Sequence, residues 1–373
     1  MTTSGSTSAP SAKPPKPETP RAKAPTTKAA TAGPQRRKAI AAPRTPRRAL
    51  PPPVRRGLVL GGGGVLGGTW AVGALAALED VYGFAVGDVD VIVGTSAGSV
   101  LAALIGAGVT VEQLERHYGD EEVTEGPLSG YVFDPVQATG GSRPGLPRLI
   151  GPGSPKLIGA SLRRLGQLPA TAVLSAFLPE GTRSLERVGH LVDAVTPIGH
   201  WSPHPGVWVV AMDYEEGKRV VFGRPGAPVV PLSDAVVASC SIPGWFQPVT
   251  IGEHTYVDGG AVSATSIDVL EHAGLDEVYV VAPMVSFDMD HPSSIGVRLE
   301  RRWRTEVTKA AIHEAAQVRA AGAAVRIVGP GPEDLAAIGA NLMDDTRRRL
   351  VLETSLRTSH DAWRTADTYA TTG

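Results

Sequence analysis

Two stretches of this chain share one pattern, an apolar run that ends near glycines and then continues as small aliphatic residues. Residues 54–60 and 89–93 are rich in Val, Leu and Ile, which is typical of strands buried on both faces of a sheet. The small aliphatic runs at 67–78 and 97–105 predict helices packed closely on those strands. The repeated order of strand, turn and helix predicts an α/β fold with parallel strands.

The same patterns predict further elements along the chain. Two strand-like runs, GVWVVAMDY and KRVVFG, are separated by EEG, which predicts a hairpin turn. A second hairpin is predicted around Gly252. The remaining predicted elements are helices at 111–118, 233–238, 295–321 and 344–363, and strands at 278–282 and 325–328.

The region 110–205 has a weaker pattern after its first helix. Its most apolar part is LIGASLRRLGQLPATAVLSAFLP at 157–179. This composition is typical of an element that covers a lipid-accepting groove, and slightly more typical of a buried pair of core helices. The pattern alone leaves both interpretations open.

Charge divides the chain into two parts. Residues 1–56 hold 13 Lys or Arg and one acid, which leaves 23 of the 36 basic and 36 of the 37 acidic residues for the rest. Residues 1–54 are mainly Pro, Ala, Lys, Arg, Thr and Ser, and such a segment buries too little apolar surface to offset its ordering entropy. We therefore expect a disordered basic tail at 1–54, a domain at 55–330, and C-terminal helices at 331–373 packed on that domain.

Composition also limits the partners and the compartment. The tail suits transient contact with an anionic membrane surface, a solubilising spacer would have the same composition, and no specific nucleic-acid partner is predicted. The single cysteine, Cys240, excludes an internal disulfide framework. No signal-peptide core follows the basic start, and Gly94, Ser96 and Gly98 interrupt the only long apolar run. We expect a cytoplasmic protein, peripheral to the membrane at most.

The motif GTSAG lies between the strand at 89–93 and the helix at 97–105. It has the form G-x-S-x-G, in which a sharp turn lifts the serine hydroxyl clear of the sheet. Ser96 then lies at a helix N-terminus, where free N–H groups and the helix dipole favour developing negative charge. This position suits a nucleophile, although an N-capping serine in a doubly wound protein has the same local pattern.

A glycine-rich turn follows the first predicted strand, and Gly62, Gly64 and Gly67 satisfy G-x-G-x-x-G. A dinucleotide-binding fold also needs an acid at the carboxyl end of the second strand, whereas Asp88 and Asp90 lie before that strand or at its start. Backbone N–H groups that converge without side chains serve equally well to hold an oxyanion. The turn therefore favours an anion-binding loop over a nucleotide site.

The chain resembles patatin-like phospholipases in four motif blocks that have the family's order and spacing. The blocks are GGGGVLGG at 61–68, GTSAG at 94–98, ASCSIPGWFQPV at 238–249 and DGG at 258–260. The resemblance covers about residues 57–270. It implies a three-layer α/β/α sandwich with a central, mostly parallel sheet, and a lipid acyl hydrolase of the phospholipase A type. It also implies that Ser96 is the nucleophile, that Asp258 is its base in a two-residue dyad, and that the first glycine loop is the oxyanion hole.

These implied roles make chemical demands on the residues. Asp258 is a useful base only if burial raises its pKa, and the strand HTYVD makes such burial reasonable. Gly94 and Gly98 give room beside the serine, and Gly259 and Gly260 allow a tight turn without obstructing substrate. The oxyanion is expected to be surrounded by Gly62, Gly63, Gly64 and Val65.

One residue departs from the resemblance. The family often has a basic residue before the last glycine of the first block, and this chain has Leu66 there. Backbone donors do not depend on that side chain, so the departure does not exclude catalysis, but it counts against contacts to a charged head group. It favours a substrate other than a typical phospholipid.

Alternative mechanisms stay open at this point. A triad would add His291, which follows the strand at 278–282, whereas His272 and His313 fall within predicted helices. The surrounding SFDMDHPSS is typical of an exposed turn, so the dyad is favoured. A nucleotide-binding α/β protein and a catalytically silent lipid-binding relative are the competing hypotheses. Cys240 is interpreted as a core residue, and neither a cofactor nor a metal is predicted.

Overall fold

Residues 53–131, 153–163, 168–290 and 292–370 are described by a computed structural model. The predicted tail lies outside the described residues apart from its last two positions, and His291 lies outside them as well.

Within the described residues, eight strands form one sheet. The strands are β1 (Arg56–Leu60), β2 (Val91–Thr95), β3 (Val207–Asp213), β4 (Arg219–Phe222), β5 (Val249–Ile251), β6 (His254–Asp258), β7 (Glu277–Val281) and β8 (Ala324–Val328). Five of them run parallel in the order β3-β2-β1-β7-β8. β4 and β6 pair antiparallel with β3, and β5 pairs antiparallel with β6. The expectation of a mostly parallel sheet is confirmed.

Helices cover both faces of this sheet. The helices of the described residues are α1 (Gly64–Tyr82), α2 (Ala97–Gly106), α3 (Val111–Tyr118), α4 (Pro155–Arg163), α5 (Ala170–Ser175), α6 (Glu186–Val195), α7 (Leu232–Cys240), α8 (Ile295–Ala320), α9 (Pro332–Ile338) and α10 (Arg348–Ala370). In β1, Leu58 and Leu60 join a core cluster with Trp70 of α1, whereas Val59 joins a second cluster with Ala311 of α8. Alternate side chains of a strand point to opposite faces, so the architecture is the expected α/β/α sandwich.

The C-terminal helix α10 packs along α1. Ser355 Oγ donates to Trp70 O at 2.6 Å, and Trp363 Nε1 donates to Ala74 O at 2.8 Å. These two bonds join α10 to α1 on the face of the sheet that α1 covers.

Element ends differ from the predicted ones at places that affect the site. α1 begins at Gly64, three residues before the predicted start, because the glycine turn is tight enough to end there, with Gly64 at φ 62°. β2 runs on to Thr95, so Ser96 follows the strand directly. His272, predicted within a helix, lies instead in a turn after the single 3₁₀ turn Ile267–Leu270, which is too short to extend to it.

The apolar segment at 157–179 combines both interpretations given above. Leu157 and Ala172 join a small core cluster with Met212 of β3. Leu174 and Phe177 are 61% and 51% exposed. In the described residues of the segment, 157–163 and 168–179, some side chains therefore belong to the core while others face outwards.

Candidate active site

Ser96 occupies a strained turn between β2 and α2. Its backbone has φ 52° and ψ −126°, a conformation that non-glycine residues rarely adopt. Its N–H donates to Ser239 Oγ (2.9 Å), and its carbonyl accepts from Ser99 N (2.7 Å) and Ser99 Oγ (2.6 Å). Strain of this kind costs about 1–3 kcal/mol and persists only where neighbours hold the residue in place, as these three bonds do.

The close approach of α2 to the sheet explains the glycines on either side of Ser96. A Cβ on Gly98 would lie 2.0 Å from Leu60 O, and a Cβ on Gly94 would lie 2.5 Å from Gly98 O. A larger residue at either position would push α2 away from the sheet and displace the serine.

The register of β3 brings Asp258 to Ser96 across a large separation in sequence. Thr95 of β2 pairs with Val210, and Asp258 of β6 pairs with Ala211, the next residue of β3. β4 pairs with β3 over residues that overlap both of these pairings, so it must occupy the opposite edge of β3. β2 and β6 therefore follow one another along the same edge of β3. The end of β2 and the end of β6 therefore meet.

The two side chains are in direct contact. Ser96 Oγ donates to Asp258 Oδ2 at 2.6 Å, and Gly260 N donates to Asp258 Oδ1 at 2.7 Å. Burial raises the pKa of Asp258 to about 6, although both hydrogen bonds lower it. Such a carboxylate is ionised at neutral pH and far more basic than an ordinary aspartate. Gly259 lies so close to β3 that a Cβ there would be 2.5 Å from Val210 O.

Backbone donors of the glycine loop lie beside Ser96. A Cβ on Gly62 would be 3.3 Å from Ser96 Cβ, yet the Gly62 N–H donates to Ala264 O at 2.9 Å and is already used. The N–H groups of the next three residues have no acceptor among the described residues, as expected at the start of a helix. These donors belong to Gly63, Gly64 and Val65.

The loop is held in place from several sides. Gly61 N donates to Val281 O and Leu66 N donates to Leu342 O, each at 2.9 Å. Pro283 packs so closely that a Cβ on Gly63 would lie 2.8 Å from Pro283 Cβ. The Leu66 side chain, the departure from the family pattern, is fully buried in the core. The three free donors therefore have fixed positions at the positive end of α1.

Two cavities meet at Ser96. The inner cavity has a volume of about 100 Å³ and is lined mainly by apolar side chains, among them Val65, Val100, Leu185, Val188, Leu191 and Phe246. The outer groove is open to solvent and has a volume of about 360 Å³; its lining includes Thr171, Leu174, Leu178, Asp258 and Trp303. Ser96, Gly64 and Ile242 line both, so a molecule bound at the serine extends into each.

Ser239 is a site residue that the motif arguments above do not identify. Its hydroxyl accepts from Ser96 N and donates to Val210 O at 2.6 Å, and its side chain is fully buried. It therefore ties the backbone of Ser96 to β3. In the sequence, Ser239 belongs to the block ASCSIPGWFQPV, one of the four that carry the family resemblance, but the resemblance assigned no role to this serine.

Neither Cys240 nor His117, the other reactive side chains near Ser96, is suited to act as nucleophile or base. Burial raises the pKa of the Cys240 thiol, so the sulfur stays protonated and is a poor nucleophile. Burial lowers the pKa of His117, which lines the inner cavity, to about 4, so it is neutral at pH 7. No histidine in the described part of the chain hydrogen-bonds to Ser96 or Asp258. The described residues also contain no group of three His, Cys, Asp or Glu that could hold a metal ion.

Comparison with known proteins adds a family match. A model of the family described as patatin-like phospholipase matches residues 58–270. Among solved structures, VipD from Legionella pneumophila is 13% identical with a TM-score of 0.40, over 84% of this chain and 67% of that one. The type III effector protein ExoU is 15% identical with a TM-score of 0.31, over 85% of this chain and 54% of its own. The chain thus spans about half the length of ExoU.

Proposed function

The chain belongs to the patatin-like phospholipase family, which implies a lipid acyl hydrolase, and we propose that it cleaves carboxylic esters of lipids through a Ser96–Asp258 dyad. The observation that carries this proposal is the 2.6 Å hydrogen bond from Ser96 Oγ to Asp258 Oδ2. It joins a serine held in a strained turn to a buried carboxylate of raised pKa. This is the pairing of nucleophile and base that ester cleavage needs.

The first half of the proposed reaction transfers the acyl group to the protein. Ser96 Oγ attacks the carbonyl carbon while its proton moves to Asp258 Oδ2. The C–O bond to the alcohol then breaks, and the leaving oxygen takes that proton from Asp258. The product is an acyl ester of Ser96 and a free alcohol.

The second half releases the acid. Water attacks the carbonyl carbon of the acyl ester and gives one proton to Asp258. The bond to Ser96 Oγ breaks, and the serine recovers its proton from Asp258. Each half passes through a tetrahedral oxyanion, so one base serves both steps.

The oxyanion hole is assigned to the free N–H groups of Gly63, Gly64 and Val65. They lie at the N-terminus of α1 beside the serine, where the helix dipole stabilises negative charge. Gly62 shapes the loop without donating, because its N–H is bonded to Ala264 O. A single well-placed donor of this kind typically contributes about 10²–10³ in rate.

A fluorophosphonate probe tests the nucleophile directly, because it forms a covalent bond with an activated serine. We expect labelling at Ser96 in the wild-type protein and none in Ser96→Ala, together with loss of hydrolysis of a soluble ester. Ser129→Ala is a matched control, since this exposed hydroxyl bonds to Thr124 O and the residue lines neither cavity. A folded protein that neither reacts with the probe nor cleaves any ester would be a lipid-binding relative without activity.

A further inference from the structure

The position of Asp258 assigns the two halves of the substrate to the two cavities. Asp258 delivers a proton to the leaving oxygen, and it lines the outer groove. The leaving alcohol must therefore lie on the groove side of Ser96. The acyl chain, on the other side of the carbonyl carbon, points towards the inner cavity.

From this geometry, and resting on the hydrolase function above, we propose that the inner cavity binds the acyl chain and selects short chains. The walls are apolar and suit an alkyl chain. The cavity volume of about 100 Å³ is about two thirds of the ~150 Å³ cavity that holds the six carbons of benzene, so the space fits about four carbons beyond the carbonyl carbon. The favoured substrate class is a short-chain acyl ester of a larger alcohol.

The walls of the inner cavity are closely packed. Leu191 is 1% exposed and Phe246 is 2% exposed, and both belong to the main core cluster. Arg348, which also lines the cavity, is held by hydrogen bonds from its Nη2 to Tyr118 O (2.7 Å) and Asp120 Oδ1 (3.0 Å). Widening the cavity for a long chain would disrupt this packing, which close-packed interiors resist. The outer groove is larger and open, and it leaves room for a bulky alcohol.

A series of p-nitrophenyl esters from acetate to palmitate tests the length limit. We expect kcat/KM to be highest at about four to six carbons and to fall at least about tenfold by twelve. Leu191→Phe fills the cavity and should lower kcat/KM about tenfold more for hexanoate than for acetate. Val188→Ala enlarges the same cavity and should move the optimum to longer chains. Leu350→Phe, the same change at a side chain that is 49% exposed on α10, is the matched control.

The outcomes separate this proposal from the function on which it rests. Ser96-dependent hydrolysis whose chain-length profile is the same in wild type, Leu191→Phe and Val188→Ala would overturn the cavity assignment and keep the hydrolase. Absence of Ser96-dependent hydrolysis at every length would overturn the hydrolase. In that case the rise in melting temperature on adding hexanoate tests the cavity separately. A rise in Ser96→Ala that is lost in the double variant Ser96→Ala with Leu191→Phe would support the cavity assignment. An equal rise in the single and the double variant would refute it.

A separate observation concerns the surface around the mouth of the outer groove. Ile295, Leu299 and Trp303 follow one another at four-residue intervals on α8 and are 84%, 70% and 46% exposed. This spacing places them on one stripe of the helix. The exposed Leu174 lies in α5 and the exposed Phe177 follows that helix, and both Leu174 and Trp303 line the groove. The apolar rim thus defined borders the opening that leads to Ser96.

Positive charge accompanies the apolar rim. Arg298 and Arg302 are exposed on α8 between the apolar residues of the stripe. Glu300 is turned inwards, where it pairs with Arg301 and Arg304. Aliphatic and Trp side chains beside basic residues suit the interface of an anionic bilayer. We infer that the apolar rim docks on an anionic lipid surface and places the groove mouth against it.

Among the described residues no helix is long and apolar enough to cross a membrane.

Sedimentation of the full-length protein with vesicles tests this surface without using activity. Vesicles of phosphatidylcholine with about 30% phosphatidylglycerol should bind the wild type, and Ile295→Ser with Leu299→Ser should weaken binding on the order of tenfold. Val229→Ser with Leu350→Ser, two exposed apolar residues elsewhere, should leave it unchanged. Arg298→Gln with Arg302→Gln should weaken binding to these vesicles but not to pure phosphatidylcholine. The basic tail is present in every variant, so equal binding by all of them, or no binding by the wild type, would overturn the inference.

Discussion

Two buried carboxylates hold one loop, residues 258–267: Asp258 begins the loop, and Glu314 of α8 accepts hydrogen bonds from its second half. Asp258 is 5% exposed, and Glu314 of α8 is 8% exposed. Burial is the largest cause of a raised pKa in both. Burial and pKa alone would nominate either of them as a catalytic base.

Their hydrogen-bond donors distinguish them. Glu314 accepts three hydrogen bonds, all from the loop itself. These donors are Ser263 Oγ (2.5 Å), Thr265 Oγ1 (2.6 Å) and Ile267 N (2.9 Å). Asp258 accepts from Gly260 N and from Ser96 Oγ, a hydroxyl that lines both cavities. A buried carboxylate is thus poised for chemistry only when its partner is a group that substrate reaches; otherwise it anchors a loop.

The largest expected contrast is in activity. Asp258→Asn should lower kcat/KM for a soluble ester about 10⁴-fold, because the amide does not accept the serine proton. Glu314→Gln should stay within about threefold of the wild type, because Glu314 touches only the loop. Steady-state kinetics with a melting curve for each variant measures both. A loss in Glu314→Gln as large as in Asp258→Asn would show that the two carboxylates do not differ as described.

The second contrast lies in the glycine loop, where charge develops opposite Asp258. A Cβ on Gly63 would lie 2.8 Å from Pro283 Cβ and 2.9 Å from Gly67 Cα, so Gly63→Ala must shift the loop. We expect a loss of about 10²–10³ in kcat. Gly87→Ala is the control, since a Cβ there meets no atom within 4 Å. Normal turnover by Gly63→Ala would refute the assigned oxyanion hole.

The third contrast is in pH dependence. Asp258 must be ionised to accept the proton, so kcat/KM should rise about tenfold per pH unit up to about pH 6 and then level off. The same rise should be kept in Glu314→Gln, although the pKa of Glu314 is also raised. A pH–rate profile of the two proteins decides this. If the rise were lost in Glu314→Gln, the titrating group would be Glu314.

The fourth contrast is in stability, where neutralising Asp258 should give a net gain at high pH and neutralising Glu314 should not. Between about pH 4 and 6 an unfolded Asp258 ionises while the folded one keeps its proton, so folding is disfavoured by about 3 kcal/mol above pH 6. Asp258→Asn should therefore be more stable than wild type at pH 8, by a margin that shrinks towards pH 4. Glu314→Gln also removes a carboxyl of raised pKa, but it leaves a donor in the loop unpaired, which costs about 1–3 kcal/mol and offsets that gain.

Urea unfolding at pH 4 and pH 8 measures both effects. Any stability gain in Asp258→Asn that was equal at the two pH values would contradict the raised pKa as its cause.

The smallest expected effect concerns the histidine of a conventional triad. His291→Ala should keep most of the activity, because Ser96 already hydrogen-bonds to Asp258 directly. Kinetics on the same soluble ester measures it, with a melting curve as the control for folding. If His291→Ala lost as much activity as Asp258→Asn, the mechanism would be a triad in which His291 is the base and Asp258 orients its imidazole.

Local pattern by itself determined the elements that carry the nucleophile. The apolar run before GTSAG and the small residues after it predicted a strand and a helix with Ser96 between them, and β2 and α2 have that order. The first glycine block likewise predicted the loop before α1. Such signals are local, because strand and helix periodicity and glycine turns depend on neighbours in the chain. Asp258 was nominated by the resemblance alone, since an aspartate before two glycines has no local signature of a base.

Only the tertiary structure decided what these elements do together. Asp258 meets Ser96 because β2 and β6 pair with successive residues of β3, a register that no segment encodes alone. Tertiary packing also brings Ser239 into contact with Ser96 and pairs the Gly62 N–H with Ala264 O, which removes it from the oxyanion hole. It places some residues of the segment at 157–179 in the core and others along the groove. The two cavities are spaces between elements distant in sequence, and their volumes depend on how the side chains interdigitate. Pairing register and packing are properties of the folded chain, so they lie beyond the reach of patterns along it.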